Sequence, residues 1–575
     1  DLQSICNLSI SPPPPRYIFF SSMQHILRNK AQLTRLQRHR FSVTPSLNFS
    51  TETSSTDGVL DFSNGRTVYA KKSTYEIIRA LVVLRISGIK IIVENAPSLL
   101  DLGEKVLGRR FIKAVLKGTF FGHFCAGEDQ EGIRPTVKKL ENAGVGSILD
   151  YAAEADESAP MAEIVDVEAP QVVARTYQYE GEEACDEHVE IFKRCIEAVH
   201  KVSPTGFAAI KLTALCPPAL LKRMSSALIE IRTLFDKFDT SGNGIISHEE
   251  FTEGYKKFFD ADTVIDDLTL DKLIKRLDPE NRGEIDYIEW TNKLTLKHLS
   301  LLCSKEENLL NATALTADEM KAVKAFSDRN EALAKLANEK NVRLMIDAEQ
   351  TYFQPAIDNI VYVLQKRYNR DGKVTIFSTY QCYLKDTHRR LTIDLQRAER
   401  LGYNFGAKLV RGAYLVSERQ RAEQMNYPSP CHDNIENTHE CYNKCVDLMI
   451  SKMNHTQDKI LKDGKKPSEV SDIEFMVASH NQHSVEYTVS QMEKLNIDQQ
   501  KVYFGQLLGM SDHLTMTLGA SGYKAYKYVP YGPVEEVIPY LLRRAQENSG
   551  MLSGAVLEVR MLRAELVRRL TSFTK

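Results

Sequence analysis

Several features are missing from this chain, and each absence removes a class of protein. No apolar run reaches the roughly 20 residues that a membrane-spanning helix needs. The best stretch, 77–93, is broken by Arg79, Arg85 and Lys90. Charge of one sign is not in excess either. There are 74 Lys and Arg against 76 Asp and Glu, a net charge of −2, which gives no footing for nucleic acid. Ten cysteines are present without a C-x-x-C pair or a dense framework. This argues against a disulfide-built secreted domain and for free thiols in a reducing compartment. Cys431, His432, His439, Cys441 and Cys445 match no structural zinc spacing. No G-x-G-x-x-G follows a strand-like run, since Gly144-Val-Gly146 lacks the third glycine. Acidic residues are absent from Leu2 to Thr51, where Arg16, Arg28, Lys30, Arg35, Arg38 and Arg40 fall. That is the composition of a mitochondrial transit peptide, so 1–50 is expected to be a leader outside the fold.

What is present is a regular alternation. Residues 51–144 are expected to form an N-terminal helical region. After them come eight short strand-like runs: Gly146–Tyr151, Phe207–Leu212, Arg343–Ala348, Val374–Thr379, Gly406–Arg411, Phe475–Ser479, Lys501–Gly505 and Ala525–Tyr528. Helix-length segments between strands imply parallel pairing through crossover helices. Eight such units predict an α/β fold, a distorted (β/α)8 TIM-like barrel over 145–560, with 561–575 as a C-terminal helix or tail. In such a barrel the strand C-termini form the active face. Lys211, Asp347 with Glu349, Gln381, Lys408 with Arg411, and His480 with Asn481 stand at the ends of five of the eight runs. A lone buried Lys or Asp costs several kcal/mol, so Lys211 and Asp347 are expected to neutralise each other.

The segment Tyr540–Glu547 is the most informative. On a helix, Tyr540, Arg543, Arg544 and Glu547 share a face, while Val534, Val537, Ile538, Leu541 and Leu542 project from the other side. Two adjacent guanidinium groups beside an aromatic ring suit a small carboxylate with an apolar body. The plainer alternative is a solvated face with an Arg543–Glu547 pair, but Arg before Glu is the weaker order for helix stability.

The gap between the second and third strands holds more than one crossover, and 223–300 is expected to be an inserted helical EF-hand pair. Asp239-Thr-Ser-Gly-Asn-Gly-Ile-Ile-Ser-His-Glu-Glu250 follows the Ca²⁺-loop frame. Its ligands are Asp239, Ser241, Asn243, the Ile245 carbonyl, Ser247 and Glu250. Two formal charges imply modest affinity. The frame repeats at Asp278–Glu289, but Arg282 sits where the fifth position should donate oxygen. That loop is expected to stay metal-free and to pair with the first through Ile246 and Ile285.

With these residues in view, the chain resembles the proline dehydrogenase family. The resemblance rests on Phe207–Leu215, Arg343–Gln350, Thr379–Lys385, Ala407–Tyr414, Ala478–Asn481, Tyr503–Met510 and Lys527–Gly532 running into the arginine helix. It implies FAD-dependent oxidation of L-proline to Δ1-pyrroline-5-carboxylate, with a hydride passing to flavin N5 and electrons to ubiquinone. The implied location is the matrix side of the inner mitochondrial membrane, in peripheral contact with it. Carried over, Arg543, Arg544 and Lys211 bind the proline carboxylate, Glu547 and Asp347 hold those cations, and Tyr528 and Tyr540 wall the ring. Gln381, Lys408, Arg411, Gly412, Ala413, Tyr414, His480 and Asn481 are the implied flavin contacts. Many bacterial relatives carry Arg where Lys408 stands, and the compact ones lack the insert. Three rivals remain: a hydroxyproline dehydrogenase, in which the Tyr528 position looks smaller, a calcium-responsive scaffold on an inactive barrel, and a folate-type flavin barrel.

Overall fold

The structure, a computed structural model, describes residues 60–152, 181–258, 269–302, 314–462, 464, 472–550 and 552–572. The expected leader lies outside the described residues. Eight parallel strands close into a barrel: β1 (Val145–Tyr151), β2 (Phe207–Ile210), β5 (Arg343–Ile346), β6 (Ile376–Gln381), β7 (Phe405–Val410), β8 (Ile473–Ala478), β9 (Val502–Leu507) and β10 (Lys524–Tyr531). Every one of the eight expected runs is a barrel strand. The first and last strands zip together over seven residue pairs, Val145↔Ala525 to Tyr151↔Tyr531. Gly146 lies opposite Tyr526 in that seam, and a Cβ there would stand 2.3 Å from the tyrosine ring.

Inward side chains fill the barrel near the strand N-termini. The Phe207 ring packs edge-on against Phe377, Tyr503 and Tyr526 at 5.2–5.3 Å between centroids. Arg343 lies over Phe207 and Tyr503, and it pairs with Glu474 at 3.3 Å. Tyr503 also donates to Glu474, at 2.6 Å. This end is therefore plugged, and a ligand can enter only at the strand C-termini. Alternation along β10 places Tyr528 on the same inward face as Tyr526, one step closer to the open mouth.

The crossover helix Pro218–Phe238 runs straight into the first loop of the insert. The short strands β3 (Ile245–Ser247) and β4 (Glu284–Asp286) pair antiparallel, with Ile246 opposite Ile285 as expected. Phe235, Phe238, Phe251 and Trp290 pack behind them, and the Trp290 indole donates to the Ile231 carbonyl at 2.7 Å. The N-terminal helix Thr74–Ser87, capped by a Ser73/Glu76 box, lies along the last helix, Leu552–Ser572. That last helix begins before the boundary expected at 561 and carries buried Met561 and Leu562. Among the described residues no helix is long and apolar enough to cross a membrane.

Candidate active site

At the open mouth, Asp347 receives three partners. Lys408 Nζ lies 2.5 Å from one carboxylate oxygen, while Lys211 Nζ, at 3.6 Å, and the Tyr528 hydroxyl, at 3.1 Å, meet the other. All four residues are buried. The expected Lys211–Asp347 pairing is present. Lys408, expected among the flavin contacts, also pairs with Asp347, with its ammonium 5.9 Å from the Tyr528 ring. Spacing along the chain places both lysines at the mouth but does not say which meets the carboxylate more closely.

The helix Ile538–Gly550 carries the arginine face, and its Tyr540 and Leu541 share an apolar cluster with Leu507 at the end of β9 and Ala152 after β1. Tyr540 is fully buried, and the Arg544 guanidinium stacks over its ring at 5.0 Å. Glu547 pairs with Arg544, at 2.5 Å, three residues apart. The alternative Arg543–Glu547 pairing is thus replaced by the shorter-range one. The Nε of Arg544 is buried without a hydrogen-bond partner, a donor left over for a ligand.

The second set of residues lies on the neighbouring strands. Gln381 ends β6 and donates to the Glu349 carbonyl at 2.7 Å. Arg411 follows β7 and lies over the Tyr442 ring at 4.5 Å. Its guanidinium donates to Ser479 (2.6 Å), Ser484 (2.9 Å) and His439 Nδ1 (3.0 Å), all neutral acceptors. Burial holds its pKa below the usual arginine value, with Tyr442 opposing. A half-buried cation whose hydrogen-bond acceptors are uncharged suits an anionic ligand group. Beside it, Gly412 (φ +136°) and Ala413 are exposed backbone, and Tyr414 is buried. A Cβ on Gly412 would collide with Tyr383. His480 Nε2 accepts from the Leu507 amide at 3.4 Å, so Nδ1 carries the hydrogen and donates to Ser511 Oγ at 2.9 Å. Burial, then Lys527, pushes the His480 pKa down to about 3, and the ring is neutral. Asn481 caps helix Gln482–Lys494 by accepting from the Ser484 amide at 2.9 Å.

Three further features complete the site, of which the sequence showed only Glu349, at a strand end and without its partners. Glu349, fully buried, accepts from the Thr213 amide (3.1 Å) and hydroxyl (2.7 Å), and burial raises its pKa against the pull of Lys211. Both amide atoms of the neighbouring Gln350 are buried without a hydrogen-bond partner. The third is a buried charge cluster behind His480. Asp512 pairs with Lys527 at 2.9 Å and with Lys72 of the N-terminal segment. Glu558 of the last helix accepts from the Ser511 amide at 3.0 Å. Ser511 itself has φ +50°. Burial, then Asp512, pushes the Glu558 pKa up to about 7. Burial also acts against the Asp512 carboxylate, yet Lys527 and Lys72 hold its pKa well below normal. Lys527 and Asp512 carried a visible signal, flanking Tyr528 and following β9. Lys72 and Glu558 meet them only through tertiary packing.

In the first loop of the insert, Asp239 accepts from the Asn243 and Gly244 amides, at 3.1 and 2.7 Å. Glu250 accepts from the Ser241 and Ser247 amides, at 2.8 and 2.9 Å. Among the described residues no three His, Cys, Asp or Glu side chains gather as for a metal ion. In the second loop, Arg282 lies 3.8, 3.7 and 3.7 Å from Asp278, Glu280 and Glu289, the first, third and twelfth positions.

The closed parallel barrel, plugged at one end and lined at the other by buried cations around a carboxylate, is of the (β/α)8 class. A family model for proline dehydrogenase matches residues 133–555. Human mitochondrial proline dehydrogenase 1 is 37% identical over 89% of this chain and 90% of its own length. The Caenorhabditis elegans counterpart is 37% identical over 89% of each. A bovine hydroxyproline dehydrogenase is 32% identical over 89% of this chain and 93% of its own. Among solved structures, proline utilization A from Bdellovibrio bacteriovorus, inactivated by N-propargylglycine, aligns with a TM-score of 0.49 at 17% identity, covering 87% of this chain and 40% of that one. The chain belongs to the proline dehydrogenase family and is an oxidoreductase.

Proposed function

We propose that the protein oxidises L-proline to Δ1-pyrroline-5-carboxylate with FAD, on the matrix side of the inner mitochondrial membrane, and that the electrons leave to ubiquinone. The observation that carries this reading is the buried Arg544, stacked on Tyr540 with an unpartnered Nε, beside the Asp347 cluster. Arg543 and Arg544 bind the carboxylate as charge-assisted donors, with Lys211 as the third cation. Glu547 and Asp347 hold the cations in place, and Tyr528 and Tyr540 flank the pyrrolidine ring. Flavin residues that fit are Arg411 toward the pyrophosphate, the exposed Gly412-Ala413 backbone, Tyr414, Gln381, His480 and Asn481, with Lys408 reaching the flavin only from its place on Asp347.

When bound, FAD supplies the hydride acceptor for C5 of proline. The chain supplies position, dryness and charge. Four cations (Lys211, Lys408, Arg543, Arg544) face Asp347 and Glu547, while the Glu349 carboxyl beside Lys211 has its pKa raised by burial. That excess of positive charge disfavours a protonated amine, leaving the nitrogen lone pair available as C5 loses its hydride. No strong acid or base is required. The wall formed by Tyr528, pinned by its bond to Asp347, favours proline over its 4-hydroxy derivative. The test is the visible spectrum of the purified protein. L-Proline added without oxygen should bleach the flavin bands. Protein that stays colourless after reconstitution with FAD overturns the proposal.

The first loop of the insert supports a modest Ca²⁺ site, in which Asp239 and Glu250 join the neutral oxygens of Ser241, Asn243, Ile245 and Ser247. Both carboxylates already meet Ser241. Whether calcium alters turnover is tested by rates in chelator against excess Ca²⁺; equal rates leave the insert structural.

A further inference from the structure

Exposed large apolar side chains are not spread evenly. Twelve of the 22 among the described residues fall between Tyr75 and Val115. Their focus is a hairpin of two helices, Ala96–Leu107 and Arg109–Leu116, joined at Gly108 (φ +86°). Neither helix buries a single residue. They pack on each other where Gly103 meets Ile112, since a Cβ on Gly103 would stand 2.9 Å from the Ile112 side chain. Leu99, Leu102 and Val106 repeat at three- and four-residue spacing on one helix, and Phe111 and Val115 at four on the other. At the turn, Val106 (70%), Leu107 (57%) and Phe111 (53%) are exposed around the exposed pair Arg109 and Arg110.

We propose that this hairpin, 96–116, is a docking tip for an anionic lipid bilayer. Charge chooses the occupant. Residues 85–117 hold seven Lys and Arg against three Asp and Glu; Lys113 and Lys117 pair with Glu128 and Glu535 at the base, and Arg109 and Arg110 stand exposed at the tip. Aliphatic and aromatic groups at a turn, with arginines beside them, match an interface of acyl chains under negative headgroups. Contiguous exposed apolar surface on an otherwise well-packed protein marks an interaction face. The helices are too short to span, so the tip enters the interface only. At its base the hairpin is tied to the arginine helix. Lys113 pairs with Glu535, at 3.0 Å, in the turn leading into that helix, and Lys113 and Lys117 both pair with Glu128. The proposed docking face is thus linked to the segment that leads into the arginine helix. This deepens the proposed transfer of electrons to a lipid-soluble quinone by naming the face that meets its lipid.

The full-length protein should cosediment with vesicles of phosphatidylcholine and phosphatidylglycerol, and much less with phosphatidylcholine alone. Arg109→Gln with Arg110→Gln should lower partition by about thirtyfold at low salt, at about 1 kcal/mol per basic side chain. Leu107→Asp with Phe111→Asp should lower it by at least as much. Both variants should keep wild-type turnover with a soluble dye acceptor, which shows that they fold. Absent vesicle binding, equal binding to neutral vesicles, or binding that survives both variants overturns the assignment. So does self-association of the wild type that the same substitutions abolish, since the face would then meet a second copy. Anaerobic bleaching by proline is read in solution, so failure of docking and failure of the proposed chemistry are separately visible.

Discussion

Asp347 is the residue on which the mouth of the barrel is built. It holds two buried lysines and a tyrosine hydroxyl, and removing it leaves both ammonium groups without that charge. The ligand-facing residues respond differently. Arg544→Met removes a charged donor worth about 1.5–3 kcal/mol, which is roughly a 10- to 150-fold rise in KM for proline with a smaller change in kcat. Steady-state kinetics check it, and an unchanged KM rules out the carboxylate role. Tyr528→Ser deletes one wall and its bond to Asp347. The ratio of kcat/KM for proline over hydroxyproline should fall by about tenfold or more, as expected when a packed contact is lost. A constant ratio places the hydroxyl discrimination elsewhere. At this scale the sequence was readable where residues act through strand position, as for Lys211 and Asp347 at the ends of their runs. The contact of Lys408 with Asp347 was not readable, because the partner of an inward side chain depends on barrel stagger rather than on spacing along the chain. The same holds for Arg544 and Glu547, where two arginines at adjacent positions offered the carboxylate two choices.

Among the elements, the eight strands were legible because each is a short β-rich run between helix-length segments, and errors were confined to ends: β6 begins at Ile376 rather than Val374. What no pattern reveals is how the N-terminal segment and the last helix close over the β9–β10 side. Lys72, Asp512, Lys527 and Glu558 come from four separated stretches and form one buried cluster. Lys72→Met leaves Asp512 with Lys527 alone. It should destabilise the fold by up to about 3 kcal/mol, visible as a lowered Tm, and an unchanged Tm would mean the cluster adds nothing. The insert has its own reporter. Trp290 is the only tryptophan in the chain and packs against Phe238, the residue before Asp239. Calcium at the first loop should change its fluorescence, and Glu250→Gln should suppress that response. Emission indifferent to millimolar-range Ca²⁺, about the weakest affinity such loops show, rules the site out.

For the whole molecule, pH enters through buried histidines. Burial pushes His123 and His480 down to about 3 and His298 and His513 to about 4. Each stays neutral in the fold but takes up a proton near pH 6.5 once unfolded. The unfolded chain therefore binds more protons below that pH, and stability is lost as pH falls. Glu558, pushed up to about 7 chiefly by burial, works in the opposite direction between its ordinary 4.5 and 7. Burial raises the Glu349, Asp358 and Glu474 carboxyls as well, but the four histidines cost stability across the whole window below about pH 6.5, and Tm should drop from pH 7 to pH 5. A flat or rising profile would contradict the neutral assignments.

The second loop of the insert carries its counter-ion in its own covalent chain. Arg282 sits among Asp278, Glu280 and Glu289, and no chelator can extract a guanidinium. EDTA therefore has at most half of the module to act on, and whatever response the first loop makes will be hinged on a neighbour that never empties.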